Sequence, residues 1–138
     1  MEENSSLSPK EYYSYFSNHI EKEIDLVNNR LSWMLTFQGF LFASLSIVTS
    51  KEVDASLRAT LRDAFSYAGV IVSALTLLGL YASALQRDSL KRQWTTLGHK
   101  GFPELSSKAQ ISAMGRITSF GIPFTIIVVW IVVHHGLR

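Results

Sequence analysis

Polar and apolar positions along this chain fall into blocks. Three runs carry no charged side chain: Leu31 to Ser50 (20 residues), Ala64 to Gln86 (23 residues), and Ile117 to Val133, which continues uncharged through His134 and His135. About 20 helical residues, each rising about 1.5 Å, cross the roughly 30 Å hydrocarbon layer of a bilayer. The runs therefore predict an all-α fold: a membrane helical bundle of three transmembrane helices with cytoplasmic helical extensions.

Spacing defines those extensions. In "SLSPKEYYSYF", Ser8 suits a cap, Pro9 the first helical position, and Glu11 completes a capping box. From there Tyr13, Phe16, Ile20, Ile24, Val27 and Leu31 recur every three or four residues as one apolar stripe. The stripe predicts an unbroken helix from Pro9 to Val48, about 60 Å long and twice the hydrocarbon thickness. Val53, Leu57, Leu61 and Phe65 start the second helix ahead of its span, with Ser50 as its candidate cap. Leu90, Trp94 and Leu97 carry an apolar edge beyond that span until "GHKGFP" turns the chain, and Ser106 or Ser107 caps a third helix that Pro123 should kink. The divisions are a cytoplasmic amphipathic helix at 9–30, spans at 31–50, 64–86 and 117–135, an outer loop at 51–63, and a basic cytoplasmic hairpin at 87–116. A contact stripe of Tyr13, Phe16, Ile20 and Ile24 needs an apolar partner, which Leu90, Trp94 and Leu97 offer within one chain or between copies.

Charge sets the orientation. The first thirty residues hold six acids against three bases, unlike the basic start of a signal peptide, so the first span is expected to be retained. Lys and Arg number three before the first span, three in the 51–63 loop, six in the 87–116 segment and one at Arg138. Alternate sides thus carry nine and four, which predicts a bacterial inner-membrane protein with its N-terminus cytoplasmic and its C-terminus outside. Arg87, Lys91, Arg92 and Lys100 form a collar suited to anionic lipid head groups, worth about 1 kcal/mol each. Trp33 is expected to anchor the inner interface, and Phe65, Tyr67 and Trp130 the outer one.

Candidate chemistry centres on Gln38, the most deeply placed strongly polar group in any span. Unpaired in hydrocarbon, its amide costs several kcal/mol. It must therefore bond a neighbouring helix, for about 0.6 to 2 kcal/mol, or line a pore as one of a ring of copies. Gly39 and Ala43 form a close-packing pair beside it, and Gly69/Ser73, Gly79/Ser83 and Gly115/Ser119 repeat the spacing. No Asp, Glu, Lys, Arg or His lies within the apolar runs 31–50, 64–86 and 117–133, which argues against a proton relay or voltage sensor. The chain has no cysteine, Gly-rich phosphate loop or paired-histidine metal motif, so neither cofactor nor nucleic acid is expected. His134 and His135 project about 100° apart and read as a solvated tail. Arg92 and His99 fit the permissive Arg-x6-His pattern of the HEPN ribonucleases, but a thirty-residue segment between spans cannot hold that domain. An enzyme is not expected.

The sequence Arg30-x-Ser32-Trp33-x-Leu35-x-x-Gln38-x-Phe40-Leu41-Phe42-Ala43 resembles the first span of a group of small bacterial inner-membrane proteins with an acidic N-terminal helix. The layout is similar, more distantly, to RipA-like ring-forming membrane proteins and to a CRISPR-associated pore-forming effector. These resemblances imply a homo-oligomer. The expectation is a non-enzymatic inner-membrane assembly, structural or pore-forming, in stress response or defence. The alternative is a membrane-anchored adaptor whose cytoplasmic helices bind a soluble protein.

Overall fold

A computed structural model describes residues 8–50, 53–97 and 109–136, all helix apart from short caps and turns. Helix α1 is Pro9–Val48, α2 is Ala55–Leu97 and α3 is Ala109–Gly136. At 40, 43 and 28 residues they are about 60, 65 and 42 Å long. Each contains a stretch long and apolar enough to cross a membrane.

Local chemistry explains the boundaries. The Ser8 backbone N–H donates to Glu11 at 2.6 Å, and the Glu11 N–H donates back to the Ser8 hydroxyl at 3.3 Å, closing the expected capping box. Past Val48 the Thr49 N–H returns to the Leu45 carbonyl and the Ser50 N–H to the Ile47 carbonyl, so the chain turns. Ser50 therefore closes α1 and does not cap α2. Asp54 does that: its carboxylate accepts from the Ser56 N–H at 2.9 Å, the Ser56 hydroxyl at 2.7 Å and the Leu57 N–H at 3.3 Å. A carboxylate here also suits the positive end of the helix dipole. Helix α3 continues through Pro123, whose ring is buried. The expected turn at "GHKGFP" and caps at Ser106 or Ser107 lie outside the described residues.

Helix α2 packs along both of its neighbours. Its partners on α1 run antiparallel: Phe16 meets Trp94, Arg30 meets Ser83 and Gln38 meets Gly69. On α3, Arg116 pairs with Asp88 and His134 with Asp63. Two apolar clusters result. At the end where α1 begins, Phe16, Leu90 and Trp94 are buried, with Tyr12, Tyr13 and Ile20 against them. At the other end, Leu41, Leu45 and Trp130 form the core, flanked by Phe42, Phe65, Val70 and Ile126.

Candidate functional site

Four polar side chains of the apolar segments, Gln38, Ser66, Ser73 and Ser83, lie inside. Gln38 is 2% exposed, and its amide touches both other helices. Its Nε2 donates to the Gly69 carbonyl at 2.9 Å and to the Ser73 hydroxyl at 3.0 Å; its Oε1 accepts from the Trp130 indole N–H at 2.6 Å. Both amide hydrogens and one oxygen lone pair are used, so the group is paired within its own chain. Trp130 itself is wholly buried and stacks on Phe42, with ring centroids 4.5 Å apart and an interplanar angle of 6°.

Gly69 makes the site possible. A methyl group there would overlap the Trp130 indole nitrogen and its neighbouring carbons. Gly69 and Ser73 thus form one notch on α2: the missing side chain seats the indole, while the carbonyl and hydroxyl hold the glutamine. The anchoring role that the sequence suggests for Trp130 is corrected: the notch and the Gln38 oxygen draw its side chain into the bundle, where it is wholly buried. Trp33, at 76% exposure, and Tyr67 remain on the surface. Phe65 packs beside the second core.

A second polar tie joins α1 to α2. Arg30 Nη1 donates to the Gly79 carbonyl at 3.0 Å and, by a short bond, to the Ser83 hydroxyl. Arg87 Nε reaches the Ser83 carbonyl at 3.4 Å. The arginine stem lies over Gly79, where an added Cβ would make ordinary contact with Arg30 Cδ at 3.4 Å. In the sequence Arg30 stands out only within the first-span resemblance; the Gly79/Ser83 spacing is the available sign of a seat on α2.

Two contacts between α2 and α3 lie near the ends of their packing: Asp88 forms an ion pair with Arg116 at one, and at the other Asp63, paired with its neighbour Arg62, has its Oδ1 3.4 Å from His134 Nδ1. His134 also lies against the Tyr67 ring, with centroids 5.6 Å apart. The expected solvated tail is thus corrected for His134, whose side chain is mostly buried because a carboxylate and an aromatic ring line its position; His135 is exposed.

Of the contact stripe, Tyr13, Phe16 and Ile20 come together around Trp94, while Ile24 remains exposed. Tyr13 and Phe16 both meet the Trp94 ring edge-on, at 5.6 and 5.7 Å. Gly39 and Ala43 face outward, and an added Cβ at Gly39 or Gly115 meets nothing within 4 Å. In the basic collar, Arg87 bonds Ser83, Lys91 is half-buried, and Arg92 borders a cleft with Tyr12 and Phe16. Lys100 and His99 lie outside the described residues. Among those residues, no group of three or more His, Cys, Asp or Glu could hold a metal ion. No protein-family model, curated protein or solved structure matches the chain.

Proposed function

We propose that this chain is a multi-pass protein of the bacterial inner membrane, N-terminus cytoplasmic and C-terminus outside, working as a non-enzymatic, structural homo-oligomer. One observation carries the membrane part: the polar groups Gln38, Ser66, Ser73 and Ser83 point inward, whereas Phe40, Ile47, Leu75, Leu78, Phe124 and Val132 are well exposed. Water would penalise that arrangement, and hydrocarbon favours it. The two α2–α3 contacts, at Asp63 and at Asp88, fit the same layer. Asp63 and Asp88 are twenty-five residues apart, about 38 Å along a helix, between the hydrocarbon and full thicknesses of a bilayer.

The uncovered Gly39/Ala43 face and the exposed Gly115, with half-buried Ser119 one turn on, support self-association, since small residues let helix backbones approach closely in lipid. The internal bonding of Gln38 favours a structural assembly over a glutamine-lined pore, because lining a lumen would break three hydrogen bonds. Native mass spectrometry of the purified chain tests the proposal; more than one copy per particle is expected, and a strict monomer overturns it. Liposomes carrying the protein should hold their ions, and a leak abolished by Gln38→Leu would restore the pore.

The adaptor reading keeps one supporting feature, a cleft of about 520 Å³ lined by Tyr12, Phe16, Ser89, Arg92, Gln93 and Thr96. Crosslinking in cells separates it from self-assembly. A heterologous product lost on Arg92→Glu would support the adaptor, and self-ladders alone would support the homo-oligomer.

A further inference from the structure

We propose that the groove between α1 and α2 beside Arg30 binds one anionic phospholipid, its phosphate on Arg30 and Arg87 and one acyl chain along Trp33, Phe37, Val72 and Leu75. This rests on the membrane reading above. The first support is uncompensated charge. Arg30 and Arg87 both bond Ser83, yet among the described residues no carboxylate lies within 4 Å of either guanidinium. Arg30 spends only Nη1 on the protein, leaving Nε and Nη2 without an acceptor among those residues. Two like charges converging on one serine beside an apolar layer call for an anion, and a guanidinium's planar fork matches phosphate.

The second support is the shape beside that charge. An elongated groove of about 550 Å³, open along one side, runs from Arg30 and Asn29 past Trp33 to Phe37 on α1 and from Gly79 to Val72 on α2. Seven residues separate Arg30 from Phe37, about 10 Å of helix, and the walls over that length are almost entirely apolar. A free phosphate would have no use for such a trough. A phospholipid uses both halves, with the head group at the arginine end and the tail lying away from it, as these helices would stand in the leaflet that faces the start of α1.

The test uses the full chain, extracted from membranes and titrated with phosphatidylglycerol or phosphatidylcholine of matched acyl chains before native mass spectrometry. Wild type should retain the anionic lipid about tenfold more strongly. The Arg30→Gln, Arg87→Gln double variant should bring the two lipids to parity, Arg30→Lys should keep part of the preference, and Val72→Trp should weaken both lipids by filling the trough. Unfolding midpoints of all variants separate lost binding from a loosened α1–α2 contact. Equal retention by wild type, or a preference that survives the double variant, overturns the site. So does orthophosphate binding that matches the lipid and ignores Val72→Trp. Extraction at alkaline pH is read first: a chain that washes off the membrane refutes the underlying membrane reading, whereas an inserted chain without lipid preference refutes the site alone.

Discussion

At the scale of single residues, Gly69, Gln38 and Trp130 act as one unit, so changes among them should be strongly non-additive. Gln38→Leu strands the buried Trp130 N–H and should destabilise the fold by about 1 to 3 kcal/mol, read as a lower unfolding midpoint in detergent. Combined with Trp130→Phe, it should cost less than the two single changes added, by about 0.5 kcal/mol or more; strict additivity would mean that the 2.6 Å bond carries no coupling. Gly69→Ala is the sharper steric test. Its methyl must displace the indole, for about 1 to 3 kcal/mol, whereas Gly39→Ala enters open space and should leave the unfolding midpoint almost unchanged. Equal midpoints for the two alanine variants would contradict the notch. The sequence placed Gln38 correctly as a group that must be paired, because burial of an amide in an apolar run makes that demand alone. It did not identify Trp130 as the acceptor's partner: the indole lies ninety-two residues away, and a tryptophan near the end of an apolar run looks the same whether it meets lipid or a glycine notch.

At the scale of helices, start signals were legible where side chain and backbone are neighbours. The Ser8, Pro9 and Glu11 pattern fixed the start of α1, and the spacing of its stripe carried it to Val48. The α2 cap was misassigned to Ser50, because serine and aspartate both favour that role and the choice depends on how many residues the α1 exit consumes. Asp54 gives the correction a pH signature. Its carboxyl is held below the ordinary value of 3.8, first by the Ser56 hydroxyl and then by the Leu57 and Ser56 N–H groups. A depressed folded-state pKa means that the stabilisation is complete above the unfolded value and is lost as pH falls through the folded one. Backbone amides in the first turn of α2 should therefore exchange faster as pH drops below about 4, after correction for intrinsic rates, while Asp54→Asn should flatten that dependence. An unchanged pH profile in the variant would remove Asp54 as the cap. Which stripe meets which helix was less legible: Tyr13, Phe16 and Ile20 find Trp94 in their own chain, a choice that periodicity alone cannot make.

For the whole molecule, the distribution of covered and uncovered faces argues where association would occur. The buried small residues of α2 and its Asp88 tie it to α1 and α3 within the chain: Ser73 and Gly69 to Gln38, Ser83 to Arg30, Asp88 to Arg116. The small-residue pairs of α2 are thereby occupied, whereas Gly39 and Ala43 on α1 and Gly115 on α3 are exposed, with Ser119 half-buried. In lipid an apolar surface gains little by meeting another apolar surface, so close backbone approach, not area, selects the contact. Replacing Gly39 and Ala43 together by leucine adds bulk to a face that touches nothing in the monomer. The double variant should therefore shift native mass spectra toward single copies while leaving the unfolding midpoint within about 0.5 kcal/mol of wild type. Gly69→Ala should do the reverse, lowering the midpoint first. If the double leucine variant assembles as wild type does, the α1 face is not the contact, and the same substitutions at Gly115 and Ser119 decide whether α3 supplies it.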